Sequence, residues 1–185
     1  MLFNTATLAT PALGSSAKYG TLQTKAPGST YKTSDELLPW VNQISMGSMV
    51  EWVSEGRWSQ HQLIETLLHH TGPAHLSIAT WAIAQKPLEV LNHLKSEGLI
   101  LSLYGLFESK IEAYHGKSLA YAKGFFDEIR LAKCHAKVTV IINDTWQVAV
   151  ISSANWTVNR RTESGVIICQ PQSATFHHNW IHNEP

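Results

Sequence analysis

The sequence has few cysteines, no long apolar run and no excess of charge of either sign. Its two cysteines, Cys134 and Cys169, are too few for a disulfide framework, lack the spacing of metal ligands and are expected to be free and buried. No stretch approaches the roughly 20 apolar residues of a membrane-spanning helix. The first residues lack the basic and apolar regions of a signal peptide. We therefore expect a soluble cytoplasmic protein without a membrane partner.

Charge is balanced over the whole chain but unevenly distributed. The 14 basic and 14 acidic residues cancel, which argues against a polycation that binds nucleic acid through charge alone. From Lys110 to Arg161, however, basic residues outnumber acidic ones by 8 to 4. This excess could attract an anionic substrate, and scattered charge on a solvated face explains it equally well.

The length is that of one domain. Residues 1–32 are rich in Thr, Ser, Ala, Gly and Pro and contain no acidic residue, which is typical of a loosely ordered arm. We expect at most a short strand there, near residues 19–24. A single domain is assigned to residues 33–185.

Periodicity predicts alternating helices and strands before residue 110. Ser59 and Gln62 form a capping box that begins a helix ending near residue 70. Pro39 lies too deep for a regular helix that begins at Thr33, so we expect a turn, or a helix starting near Pro39. Strands are predicted over 46–54, 75–83, 99–106, 129–133 and 165–169, and further helices over 86–97 and 118–125. The order strand 75–83, helix 86–97, strand 99–106 predicts a βαβ unit with parallel strands.

Residues 131–163 carry the strongest pattern. His135-Ala136-Lys137 precedes an apolar run over 138–142, Asn143-Asp144 supplies a turn, and a second apolar run covers 146–151. Period-two alternation places His135 and Lys137 on one face. In an antiparallel hairpin, the segment from Ser152 to Asn155 returns beside them.

This end of the hairpin gathers groups that suit a phosphate. An ammonium with neutral hydrogen-bond donors can hold phosphate oxygens, and an imidazole can attack phosphorus or donate a proton near neutral pH. Each part by itself is common at strand ends and in turns. Their combination in this order is therefore the informative feature.

The stretch resembles the signature of the phospholipase D superfamily, which reads H-x-K, then Asp, then G-S-x-N, then an acidic residue. The matching positions are His135, Lys137, Ser152-Ser153-x-Asn155 with Ser152 in place of glycine, and Glu163. The aspartate departs from the pattern, because Ile142 occupies its usual place and Asp144 lies two residues later. The resemblance covers roughly residues 60–170.

The resemblance implies an α/β fold, a phospholipase D-like mixed β-sheet flanked by helices. Since only one H-x-K, at His135, directly precedes the hairpin that carries the rest of the signature, and the family's site uses two, the resemblance also implies a site completed across a homodimer. His135 would form a phosphohistidine without metal or cofactor, and Glu163 would accept a hydrogen bond from its ring. The implied catalytic residues are His135, Lys137, Asn155 and Glu163, and Ser152 and Ser153 are the implied substrate contacts. Independently of the resemblance, Trp156 and Arg160, just past Asn155, could contact bases and phosphates.

Small single-motif members of this superfamily resemble bacterial endonucleases, so the implied substrate is nucleic acid, with DNA favoured over RNA. Two alternatives stay open: a non-catalytic nucleic-acid-binding module with the same fold, and a lipid phosphodiesterase. Trp156 could equally be a core or dimer-interface aromatic. His177, His178 and His182 lie near the C-terminus without carboxylate or cysteine neighbours, so no metal site is expected there.

Overall fold

The fold is built on one mixed β-sheet flanked by helices, and the computed structural model describes residues 23–24, 34–158 and 160–183 of the chain. The strands are β1 (Gln23–Thr24), β2 (Ser48–Val53), β3 (Ala74–Thr80), β4 (Ile100–Glu108), β5 (Glu128–Ala132), β6 (Val138–Ile142), β7 (Gln147–Ser152) and β8 (Ser164–Ile168). The helices are α1 (Ser34–Val41), α2 (Gln60–Thr71), α3 (Gln85–Ser96), α4 (Ile111–Ala122) and α5 (Pro171–Asn183). The strand order is β1-β2-β8-β7-β6-β3-β4-β5, which confirms the predicted α/β class.

The predicted βαβ unit is present as β3–α3–β4, with β3 and β4 parallel. Helix α3 buries Leu88, Leu91 and Leu94 on one stripe, each with 1% of its surface exposed. Helix α2 begins at the predicted capping box, where the Ser59 N–H donates to Gln62 Oε1 at 2.9 Å. Burial of each leucine stabilises the fold by about 1.5–3 kcal/mol. The apolar periodicity therefore sufficed to locate these elements.

The predicted hairpin is also confirmed. Strands β6 and β7 pair antiparallel, with Val138 opposite Ile151, and the Ser152 N–H donates to the Lys137 carbonyl at 3.0 Å. Strand β6 also pairs antiparallel with β3, where Ala79 lies opposite Val138. The carboxyl ends of β3 and β7 and the segment before β6 therefore meet at one edge of the sheet.

Alternating residues of β6 contribute to two cores on opposite faces of the sheet. Ile141 belongs to the larger core, with residues of α2 and α3, whereas Val140 packs in a smaller core with Ala174 and Ile181 of α5. Because both faces are covered, β6 reads as a continuous apolar run rather than as an alternating one. The hairpin that leads to the site is thus held from both sides.

Helix α1 differs from the expectation, since it runs through Pro39. Pro39 lacks the N–H that would bond to the preceding turn, which costs helix stability. Leu37, Trp40 and Val41 are 0–6% exposed, so burial of this face outweighs that cost. The prediction of a turn, or of a helix starting at Pro39, was therefore wrong.

Helices α4 and α5 also differ from the sequence prediction. Helix α4 begins at Ile111, earlier than the predicted residue 118, with non-helical backbone angles at His115 that interrupt its periodicity. Helix α5 was not predicted. Its buried apolar positions are sparse, Ala174 and Ile181, so the amphipathic signal is weak.

The predicted arm at residues 1–32 lies outside the described residues, except for Gln23 and Thr24, which pair parallel with β2. Both cysteines are free and buried, as predicted. Within the described ranges, none of the helices has the length and apolar character needed to cross a membrane.

Asn143 holds the turn of the hairpin against the rest of the domain. Its Nδ2 donates to the carbonyls of Thr71 and Pro73, both at 3.0 Å. Its Oδ1 accepts from the N–H groups of Thr145 at 2.9 Å and Trp146 at 2.7 Å. One amide thus connects the end of α2, the start of β3 and the β6–β7 turn.

Asp144 is exposed in the same turn, after β6, whereas His135 precedes β6. The whole length of the strand therefore separates its carboxylate from the imidazole. Asp144 cannot replace the aspartate that the superfamily signature places after the lysine.

Substitution of Asn143 by alanine is expected to lower the free energy of unfolding by about 2 kcal/mol, because it leaves two carbonyls and two N–H groups without their partner. Asp144→Ala, one residue away and exposed, should change it by less than about 0.5 kcal/mol. Urea unfolding of both variants measures the difference. Equal midpoints would show that the turn does not depend on the Asn143 side chain.

Candidate active site

His135 and Lys137 lie in the extended segment that leads into β6. His135 is exposed and Lys137 is half-buried. The Lys137 Nζ lies 3.2 Å from His135 Nδ1 and 3.5 Å from Nε2, and it donates to the His135 carbonyl at 2.6 Å. Both side chains therefore project to the same side, as predicted, and an anion at His135 would also meet the ammonium.

The surroundings of Lys137 affect its charge. Partial burial lowers the pKa of its ammonium below the usual range, while Cys134 and the Glu163 carboxylate oppose this shift. A partly desolvated ammonium is attracted to an anion more strongly than one in bulk water. Lys137 is thus suited to bind a phosphate oxygen.

Asn155 is oriented by Thr80, the last residue of β3. The buried Thr80 hydroxyl lies 3.3 Å from Asn155 Oδ1 and 3.1 Å from the Ala82 carbonyl. Thr80 thus contacts the Asn155 side chain from behind, and Asn155 itself lines the cleft. Sequence reasoning did not identify Thr80, since it lies far from the hairpin in the chain.

The two serines of the motif have different roles. The Ser152 hydroxyl donates to Oε1 of Gln60 at 3.2 Å, and Gln60 is 1% exposed at the start of α2. Ser152 is therefore directed toward α2 and fixes the loop. The Ser153 hydroxyl donates to the Glu163 carboxylate and accepts from the Ser164 N–H at 3.1 Å.

Glu163 is positioned through its backbone. Its N–H donates to the Ser54 hydroxyl at 2.9 Å, and its carbonyl accepts from the Ser54 N–H at 2.8 Å. Its carboxylate contacts Ser153 and faces the charge of Lys137. The acidic residue thus lies at the site, and it orders Ser153 directly.

Gly165 allows β8 to approach this loop closely. A Cβ at this position would lie 2.4 Å from the Ile151 carbonyl oxygen and 2.6 Å from Cζ2 of Trp52. Neither contact is sterically possible, so only glycine fits. The close approach brings Ser164 and Glu163 next to Ser153.

Two of the predicted substrate contacts, Trp156 and Arg160, are not in the lining of the cleft around His135 and Lys137. Trp156 is 2% exposed, packs in the larger core and bridges to Ile83. No base could stack on it, so the predicted contact is wrong and its alternative assignment to the core holds. Arg160 is exposed, and its carbonyl lies against Gly56, where an added Cβ would come within 2.1 Å of it.

The cleft itself is open and lies where β3 and β7 end and β6 begins. Its lining consists of Trp81, His135, Ala136, Lys137, Val138, Ile151, Ser152, Ser153 and Asn155. A second groove, over β2 and β8, shares Ile151, Ser152 and Ser153 with it. Trp81 was not identified from the sequence. In the structure it is 39% exposed, and its ring centroid lies 5.9 Å from that of His135.

Glu108, at the end of β4, supports the segment before His135. Its carboxylate accepts from the Cys134 N–H at 3.0 Å and from the Ser109 hydroxyl at 2.8 Å. These hydrogen bonds, with the one from Ser109 the largest contribution, lower the pKa of Glu108. Sequence reasoning missed this residue too, because only the β4–β5 pairing brings it there.

The three C-terminal histidines lie on α5. The Ser77 hydroxyl is 2.9 Å from His182 Nε2 and 3.3 Å from His178 Nδ1, and burial lowers the pKa of both rings. Among the residues that the structure describes, no three His, Cys, Asp or Glu side chains are grouped to hold a metal ion.

Two solved structures share this architecture. NucT from Helicobacter pylori superposes with a TM-score of 0.57 at 12% identity, over 74% of this chain and 95% of its own. Polyphosphate kinase from Porphyromonas gingivalis gives a TM-score of 0.56 at 12% identity, over 81% of this chain but 28% of its own. Both have the phospholipase D fold, and this chain has it as well. No family model matches the sequence, and neither does any curated protein.

Proposed function

We propose that the chain is a metal-independent phosphodiesterase, and specifically an endonuclease that cleaves DNA or RNA without a cofactor. The observation that carries this proposal is the convergence of His135, Lys137, Ser153 and Asn155 on one open cleft of a phospholipase D fold. The similarity to NucT, a nuclease, supports nucleic acid rather than lipid as the substrate.

In the proposed reaction, a ring nitrogen of His135 attacks phosphorus and the bond to the leaving oxygen breaks. The leaving oxygen takes a proton from the His135 of a second copy, which acts as the general acid. The same imidazole then removes a proton from water, whose oxygen attacks phosphorus as the N–P bond breaks. Both histidines return to their starting protonation states.

The remaining side chains stabilise the charge that develops on the non-bridging oxygens. Lys137 contributes an ammonium and Asn155 contributes an amide donor. The Ser153 hydroxyl donates to Glu163 in the unliganded site, so it would have to rotate toward the phosphate to act as a further neutral donor. Glu163 orders Ser153 and balances the charge of Lys137. Its hydrogen bond to the His135 ring, which the resemblance implies, stays a prediction.

A second copy is part of the proposal because the mechanism needs two imidazoles and each chain supplies one H-x-K at this cleft. The other two H-x-K tripeptides, at His93 and His115, lie in helices α3 and α4. A two-fold axis beside the cleft would bring the two His135 side chains together. The exposed position of His135 is compatible with such an arrangement.

Cleavage of labelled single- and double-stranded DNA and RNA in excess EDTA tests the function, with molecular mass measured at the same protein concentration. We expect chelator-resistant cleavage by a dimer. Binding without cleavage would favour the nucleic-acid-binding module, and hydrolysis of phospholipid vesicles alone would favour the lipid phosphodiesterase. Activity from a strict monomer would contradict the shared site.

A further inference from the structure

Trp81 differs from the other tryptophans around the site. Trp52, Trp58 and Trp156 are 1–2% exposed, whereas Trp81 is 39% exposed on the lining of the cleft. It directly follows β3, and the next residue, Ala82, is 4% exposed. The indole is therefore held at the rim by buried backbone on either side, although it contributes little to the core. Single exposed aromatic residues are common on protein surfaces. The binding role is indicated by the position of Trp81, which lines the same cleft as His135 and Lys137.

We infer that Trp81 determines the specificity of the site by stacking on an unpaired base beside the phosphate at His135, so that the substrate is single-stranded nucleic acid. This inference rests on the proposed function and names the substrate class of the same site. Nucleobases stack well on aromatic side chains, and this contact tolerates any base because each has a π-face.

The geometry places the base next to the reacting phosphate. The ring centroids of Trp81 and His135 are 5.9 Å apart, with an angle of 53° between the ring planes. Both rings line the same cleft. A base on the indole therefore belongs to the nucleotide at the scissile phosphate or to its immediate neighbour.

Duplex DNA cannot use this contact without distortion. Each base in a duplex is already stacked and paired, and its release has a free-energy cost that an unpaired base avoids. Apart from Trp81, Ser152 and the residues assigned to the phosphate, the cleft lining is Ala136, Val138 and Ile151, apolar side chains that cannot read the edges of base pairs. Stacking at Trp81 thus favours a flexible single strand of any sequence.

The test compares wild type with Trp81→Ala and Trp81→Phe on labelled oligonucleotides. One oligonucleotide is intact, and in others an abasic residue replaces the base on either side of the cleaved bond. We expect Trp81→Ala to lower kcat/KM about tenfold or more on the intact single strand and to change it little where the base is missing. Trp81→Phe should retain most of the activity, since phenylalanine also stacks.

Duplex DNA, vesicles of choline phospholipid and one control variant complete the test. On duplex DNA, Trp81→Ala should change kcat/KM little. The ratio of kcat/KM on single-stranded to duplex DNA should therefore fall. Tyr114→Ala is the matched control, because Tyr114 is 68% exposed on α4 and is not part of the cleft lining. Thermal unfolding and molecular mass of each variant show whether fold and assembly are intact.

The outcomes separate this inference from the proposed function. Suppose that wild type cleaves, but that Trp81→Ala lowers kcat/KM by the same factor on intact and abasic strands, or makes the protein monomeric. Stacking is then wrong and the phosphodiesterase stands. If wild type only binds the intact strand and Trp81→Ala weakens that binding, stacking stands and cleavage is wrong. If Trp81 matters only for hydrolysis of choline phospholipids in vesicles, where an indole can bind the headgroup, stacking on a base and the endonuclease assignment both fail, and the lipid phosphodiesterase is favoured.

Discussion

His135→Asn is expected to lower the single-turnover rate of cleavage by about 10⁴-fold or more, since loss of a catalytic nucleophile has effects of this size or larger. In the proposed dimer, the substitution removes the nucleophile from one subunit and the general acid from the other. Asparagine keeps a polar side chain of similar reach, so the cleft should still bind substrate. Binding of labelled single-stranded DNA should therefore change by less than about threefold.

The control for this variant is His75→Asn. His75 is also exposed, but it lies at the opposite end of β3, where its Nδ1 is 2.7 Å from the Ser102 hydroxyl. The His75→Asn variant should cleave at the wild-type rate. If His135→Asn retains a tenth of the wild-type activity, the phosphohistidine pathway is wrong even if cleavage itself is confirmed.

The sequence predicted those parts of the site that lie close together along the chain, within one hairpin. The Asn143-Asp144 turn and two apolar runs define an antiparallel hairpin, and the antiparallel return brings Asn155 toward Lys137. These positions follow from strand periodicity and turn chemistry alone. The same reasoning located the βαβ unit, because its helix and strands each carry a clear apolar pattern.

The parts that sequence reasoning missed depend on sheet order. Thr80 and Trp81 reach the site because β3 pairs with β6, and Glu108 reaches the segment before His135 because β4 pairs with β5. No short-range pattern encodes which strands become neighbours. Side chains contributed by distant strands therefore could not be assigned from one sequence.

The wrong predictions for Trp156 and Pro39 share one physical cause. Burial in the folded protein decides both positions, and the local sequence pattern does not show it. Trp156 directly follows the motif residue Asn155, yet its ring points into the core. Pro39 disfavours a helix locally, but the packing of Leu37 and Trp40 outweighs it. In both cases tertiary contacts override the local signal.

Lys137→Met is the second substitution for which we expect a large effect, a fall in kcat of about 10²- to 10³-fold, the range for loss of one donor to a developing oxyanion. Lys133→Met is the matched control, because Lys133 lies in the same segment but is exposed. It should alter the salt dependence of binding slightly and leave kcat unchanged. Equal losses in both variants would mean that the segment acts only through its general positive charge.

The stability of Lys137→Met distinguishes a role in phosphate binding from a role in folding. Methionine has a similar shape and needs no hydration, so it removes the desolvation that lowers the pKa of Lys137. The free energy of unfolding should therefore hold or rise, although Glu163 loses a nearby positive charge. If activity falls while stability does not, the half-buried ammonium serves the substrate. If both fall together, Lys137 acts mainly as the counter-charge of Glu163, and its assignment to the phosphate is wrong.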